Sequence, residues 1–229
     1  AYRFDIFGPM DLVEETALGY GIQNLEPMLS PSQTIGEMNP ISLELKSLGQ
    51  IMIGLGYLES LNSSLTSKRV LYDMVNRNSK NIISVLDSKS QEHTILRDSI
   101  LPGLLENLSK NIHESYPQKM FETGTVFTLD NPISEKINFS CISVHQDANF
   151  TEIKSILQSA LKTGFDIKID TKTTAHSTFE QGRCATVIVN NEDVGVIGEI
   201  NSKIIDDYKI RVPVVGFEIS LSDSILKSF

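Results

Sequence analysis

One stretch constrains the fold more than any other: residues 92–127, EHTILRDSILPGLLENLSKNIHESYPQKMFETGTVF. Ser99 stands where a helix N-cap belongs, and Pro102 sits in the first turn, where its missing N–H costs nothing. Leu101, Leu104, Leu105, Leu108 and Ile112 recur at helical spacing and give that helix one apolar face. Pro117 closes the segment, and residues 119–129 alternate as a strand around Gly124. By physics alone this is a strand–helix–strand core unit.

At 229 residues the chain can bury a sizeable core around that unit. A content of 40% hydrophobic and 21% charged residues argues against disorder and fibre alike. No apolar run approaches the roughly 20 residues that a bilayer-spanning helix needs. The opening AYRFDIFGPMDLVEE lacks the basic leader and apolar core of a signal peptide. A formal net charge of −9 disfavours an extensive nucleic-acid surface on this stretch. Cys141 and Cys184 both lie in apolar, strand-like contexts, which favours buried reduced thiols and an intracellular compartment.

Taken in order, residues 2–7 alternate as a strand, with Tyr2, Phe4 and Ile6 on one face. Asp11 then offers an N-cap for a short helix whose inward side is Leu12, Val13, Ala17 and Leu18, stopped by Gly19 and Gly21. One strand and one helix cannot bury themselves, so this opening reads as the tail of a truncated domain or an element that docks on a partner. Residues 27–40, rich in Pro, Ser, Gln and Thr, read as a linker. A helix over 42–55 follows, with Ile41, Leu45, Leu48, Met52 and Leu55 forming a seam. That seam suits either an ordinary core helix or a subunit interface.

Strands are predicted at 70–75, 82–86, 138–145, 165–172 and 212–221, with a hairpin of 183–189 and 194–200 around residues 190–193. Helices are predicted at 150–163, where Asn149 and Glu152 form a capping box and Gly164 is the stop, and near 202–208. Strands outnumber helices and several are joined by short turns. The class is therefore α+β, a mainly antiparallel sheet with helices packed on it.

Ionisable residues gather at one place only. Asp11, Glu14 and Glu15 share the first face of a helix, and Asp5 can approach across the turn. Such a group is either a helix start complemented by its dipole or a hard-cation site, for which oxygen ligands favour Mg²⁺ over zinc. His93, His113, His145 and His176 are scattered without metal-ligand spacing. There is no phosphate-binding G-x-x-x-x-G-K loop and no G-x-S-x-G elbow. As an isolated chain it does not read as an enzyme.

Two stretches carry a family resemblance. Tyr2-Arg3-Phe4-Asp5-Ile6, then Asp11-Leu12-Val13-Glu14-Glu15 and Gly19-Tyr20-Gly21, resembles a signature of the phenylalanyl-tRNA synthetase β subunit that ends a domain with a DNA-binding-protein-like fold. Leu96-Arg97, Ser99 through Leu105 and Phe121 through Phe127 are similar to the LR.SLLPGLL…FE.G.V run of that subunit's catalytic-like module. Val194 through Ile200 and Val212 through Glu218 are similar to its closing strands. The compact arrangement looks more like the archaeal and eukaryotic type than the bacterial one.

The resemblance implies a class II aminoacyl-tRNA synthetase-like antiparallel sheet flanked by helices, over residues 41–229, preceded by a domain tail at 1–26. It implies phenylalanine–tRNA ligase activity, using ATP, with catalysis in the α subunit. A working class II site carries an arginine after the FE.G.VF strand; here Thr128 follows Phe127, and the later G-x-G-x-x-R signature is absent. Without those cations a polyphosphate has no electrostatic partner. No catalytic residue is therefore assigned, and the chain is expected to scaffold the α subunit in a cytoplasmic heterotetramer of two α and two β chains. That complex would bind tRNA(Phe), and the chain itself is expected to contact no membrane. The resemblance also implies a Mg²⁺ shared with the α subunit at Asp5, Asp11, Glu14 and Glu15, and it moves the helical seam toward subunit contact. The rival expectation is a stand-alone paralogue acting as a regulatory or small-molecule-sensing protein.

Overall fold

Alternating residues in β4 (Gln118–Thr128) and β5 (Ser134–Val144) build an 11-residue antiparallel hairpin that forms the spine of a seven-stranded sheet. The order is β1-β4-β5-β9-β8-β7-β6, with β1 (Leu58–Glu59), β6 (Asp170–Thr173), β7 (Phe179–Val189), β8 (Glu192–Ile200) and β9 (Val214–Ser220) completing it. Only β1, which pairs with β4, runs parallel to its neighbour. A separate ribbon pairs β2 (Leu65–Thr66) with β3 (Ile95–Leu96). The computed structural model describes residues 2–29, 31, 34–79, 81–88, 90–221 and 225–226. Chain contacts divide it into two compact units, Ala1–Glu37 and Met38–Phe229, and the sheet belongs to the second.

Helices cover both faces of the sheet. On one face α2 (Pro40–Gly54) and α5 (Phe150–Phe165) pack Leu48, Met52, Ile153, Leu157 and Leu161 against Phe121, Phe139 and Phe217. The Phe139 and Phe217 rings meet edge-on with centroids 4.9 Å apart. On the other face α4 (Leu101–Lys110) buries Leu101, Leu104, Leu105 and Leu108 over Met120, Val126, Ile142 and Val214. The short α6 (Ser202–Asp207) adds Ile204 to this layer. The predicted α+β class and the antiparallel, helix-flanked sheet are what the structure shows.

Local chemistry sets the boundaries. Asn149 caps α5 by accepting the Glu152 N–H at 3.1 Å. Gly164 lies inside that helix rather than stopping it, and Asp166 in the left-handed region (φ 57°) ends it. The β7–β8 hairpin turns on Asn190 and Asn191, both at positive φ, a tighter two-residue turn than the four predicted. Residues 165–172, expected as a strand, give the end of α5 and only the start of β6.

Two predicted strands are helical or irregular instead. Residues 70–75 form α3 (Lys68–Leu71) and a 3-10 turn, started by Ser67, whose hydroxyl accepts the Val70 N–H. Val70, Leu71, Tyr72 and Val75 are buried while Asp73 is exposed, so burial here does not follow the period of two that the alternation suggests. Residues 82–86 make a single bridge, Ser84 to Ile95. In the first unit, residues 2–7 form no strand, because the described residues there offer only α1 (Pro9–Tyr20) and a 3-10 turn as neighbours. α1 buries no residue, so the expected inward face is exposed: Leu12, Val13 and Leu18 are all more than half accessible. The expected 27–40 linker takes in Ser30, Ser32 and Gln33, which lie outside the described residues.

Candidate functional site

The α4 side of the sheet carries a set of buried polar groups. Glu122 on β4 is the register partner of Ser140 on β5, and Ser140 is the register partner of Glu218 on β9. The three therefore form one buried row across the sheet. Arg97, just after β3, reaches Glu122 with Nη1 at 2.5 Å and donates from Nε to the Thr125 carbonyl at 3.0 Å. Asn62 adds its amide to Glu122 at 2.7 Å, tying the 60–66 loop to β4. Gly124 leaves the gap through which the guanidinium passes; a Cβ there would overlap Arg97.

Glu218 meets different donors. Its carboxylate accepts the Ser99 hydroxyl at 2.6 Å, the Leu101 N–H at 2.9 Å, the Ile100 N–H at 3.0 Å and the Asn138 amide at 2.6 Å. The N-cap of α4 is Ile100, which has no capping side chain, rather than the predicted Ser99. A strand distant in sequence thus supplies the negative end that the helix start favours.

Beside Glu218 a cavity of about 260 Å³ opens among β4, β5, β7, β8 and β9. Leu101, Val126, Phe179 and Val196 make its apolar wall. Arg77, Asp98 and Glu218 among its lining residues are matched within the chain. Arg77 forks onto Asp98 at 2.8 and 3.1 Å, and the Tyr72 hydroxyl donates to the same carboxylate at 2.9 Å. Burial foremost, and then the Asp98 charge, push the Tyr72 phenol up to about 12. His176 lines the cavity too; burial first, and the nearby Arg77 second, lower its pKa from 6.5. Thr128, at the position where the resemblance calls for an arginine, is bound to Ser134 at 2.6 Å and to Asp130 at 2.8 Å.

The acidic residues of the first unit are placed otherwise than as a cation site. Arg3 holds Asp5 through Nε at 2.9 Å and Glu15 through Nη2 at 2.7 Å. Its hydrogen bonds draw the Asp5 carboxyl down to about 2. Asp11, third in α1, accepts the Phe7 and Gly8 N–H groups at 2.6 and 2.7 Å, and Glu14 is exposed. Among the described residues no three His, Cys, Asp or Glu side chains are arranged to hold a metal ion. As placed, Asp5, Asp11, Glu14 and Glu15 do not fit Mg²⁺ within this chain. Arg3, adjacent in sequence, is the signal that the acidic pattern left out.

The α2 seam is a core seam. Leu48 and Met52 are fully buried against α5 and the sheet, while Ile41, Leu45 and Leu55 pack at the edge of the same cluster. Leu43 and Ile53 stand exposed on its outer side. Cys141 and Cys184 are free, buried thiols, and burial raises both, Cys184 to about 11.

A family model described as the phenylalanyl tRNA synthetase beta chain CLM domain matches residues 26–221. The chain belongs to the phenylalanyl-tRNA synthetase β-chain family. A phenylalanine–tRNA ligase beta subunit of Methanosarcina barkeri is 37% identical over all of this chain and 41% of its own length. Those of Archaeoglobus fulgidus and Methanocaldococcus jannaschii are 36% and 35% identical over 96% of the chain. The chain spans about two fifths of the length of these curated β subunits. The Desulfitobacterium hafniense pyrrolysyl tRNA synthetase PylSc superposes with a TM-score of 0.66 over 92% of this chain and 75% of its own, at 14% identity, which places the fold among class II synthetases. No helix of the described residues is long and apolar enough to cross a membrane.

Proposed function

We propose that this β-chain module is non-catalytic and scaffolds the α subunit of a phenylalanine–tRNA ligase, which charges tRNA(Phe) with phenylalanine using ATP. One observation carries the reading. Where a class II site needs a cation, Thr128 is tied into the β4–β5 turn, and Arg77 and Glu218 beside the cleft already have partners in the chain. A polyphosphate entering there would have to displace the matched groups around Arg77 and Glu218. The whole enzyme is a cytoplasmic heterotetramer of two α and two β chains in this reading. Residues 1–26 belong to a neighbouring β-subunit domain, and 41–229 form the synthetase-like module.

The contact surface follows from the burial pattern. Leu43 and Ile53 on the outer side of α2, and Leu58 on the edge strand β1, are exposed apolar residues of the same region. They are the candidates for α-subunit contact, rather than the core residues Leu48 and Met52. The Mg²⁺ implied for the acidic residues enters only as a site completed by the α subunit, for which Asp5 and Glu15 would have to leave Arg3. Co-purification of the full-length β chain with the α subunit tests the scaffold. Ile53→Glu with Leu58→Glu is expected to weaken it at least tenfold while the β chain stays folded. Unchanged co-purification removes this surface from the interface.

A further inference from the structure

At the edge of the cleft on the α4 side, a cluster of donors is occupied from within the chain. α4 is ten residues long and has no side-chain cap of its own. Its first free N–H groups, the Ser99 hydroxyl and the Asn138 amide all converge on one point beside the 260 Å³ cavity. Glu218 fills that point from β9, more than 115 residues further along the chain, and is only 8% exposed. Four donors from α4 and β5 meeting a single carboxylate form the arrangement by which proteins hold a bound anion.

We propose that Glu218 is a resident plug. Its carboxylate occupies the position in the cleft that a small carboxylate ligand would take, and keeps the cleft shut to such ligands. Beside it Arg77 is already matched by Asp98, and Lys136 stands exposed at the rim. The inference rests on the non-catalytic reading and gives it a cause; it is tested on binding, so it fails separately from the α-subunit contact.

The test is replacement of the internal carboxylate by an external one. In the full-length β chain, Glu218→Ala leaves the four donors in place and opens room for formate. Melting is followed against sodium formate, with sodium chloride at equal ionic strength as control. The wild type is expected to show no formate-specific shift. The variant is expected to melt lower and to recover saturably with formate. A formate-specific shift in the wild type overturns the plug, and so does a folded Glu218→Ala that gains nothing over chloride. If Glu218→Ala is not obtained folded, refolding yield in formate against chloride reads the same point. Absence of a formate-specific gain in yield then overturns the proposal.

Discussion

Glu122 and Glu218 stand in one row across the sheet, each the register partner of Ser140 from opposite sides, and each buried. Two carboxylates on one buried face are costly unless each finds donors. Here the donors come from different elements: Arg97 and Asn62 for Glu122, and the start of α4 with Asn138 for Glu218. The row fastens the 60–66 loop and α4 to the sheet. The residues that make the family signature legible, Arg97, Ser99 and Glu122, are fasteners of the fold.

Removing one partner of the Arg97–Glu122 pair leaves the other buried and unmatched. Arg97→Met is expected to destabilise the protein by about 3–5 kcal/mol in denaturant unfolding. The double variant Arg97→Met with Glu122→Leu is expected to lose less than Glu122→Leu and Arg97→Met summed, because neither then strands a charge. Additive losses would show that the pair does not act as a unit.

Gly124 and Arg97 are coupled by space rather than by charge. A Cβ at position 124 meets the guanidinium, so Gly124→Ala should cost about 1–3 kcal/mol in the wild type. In the Arg97→Met background the same change should cost clearly less. Equal costs in both backgrounds would place the clash elsewhere.

Met52 and Ile53 are neighbours in sequence with opposite roles. Met52 is fully buried, so Met52→Asp is expected to cost more than about 4 kcal/mol by placing an unpaired charge in the core. Ile53, 57% exposed, should tolerate Glu within about 0.5 kcal/mol. Thermal melting separates the two, and a stable Met52→Asp would contradict the core placement.

His176 sets a pH dependence. Burial and Arg77 lower its folded-state pKa below the ordinary 6.5, so the unfolded chain binds the proton more readily. Its contribution is complete above pH 6.5 and is lost as pH falls from there through the folded value. Protonation also turns Nδ1, which accepts the Thr178 N–H at 3.3 Å, into a donor facing a donor. His176→Gln should flatten the stability curve just below pH 6.5, and an unchanged curve would assign that slope to other groups.

How much of this could be read in the sequence depended on the length of a segment and on what pairs with it. α4 and α5 have one clear apolar face each, while β4 and β5 are covered on both faces, and all four were legible to within a few residues. Residues 70–75 bury Val70, Leu71, Tyr72 and Val75 on short helical turns and expose Asp73, and there the period of two misled. Residues 2–7 alternate well but have no strand beside them in their unit, and pairing is not encoded locally. The site was harder still. Arg97 and Glu122 are 25 residues apart and Ser99 and Glu218 are 119 apart, so only the sheet's register brings them together. The visible hint was a lone acid within an apolar strand, once in FETG and once in GFEI.

In the function proposed, this module gives the ligase its architecture and not its chemistry. Phenylalanine-dependent exchange of pyrophosphate into ATP measures the chemistry directly, on the full-length β chain alone and on the α–β complex. Exchange is expected from the complex and none above background from the β chain. Phenylalanine-dependent exchange by the β chain alone, abolished by substitutions in the cleft beside Glu218, would contradict it.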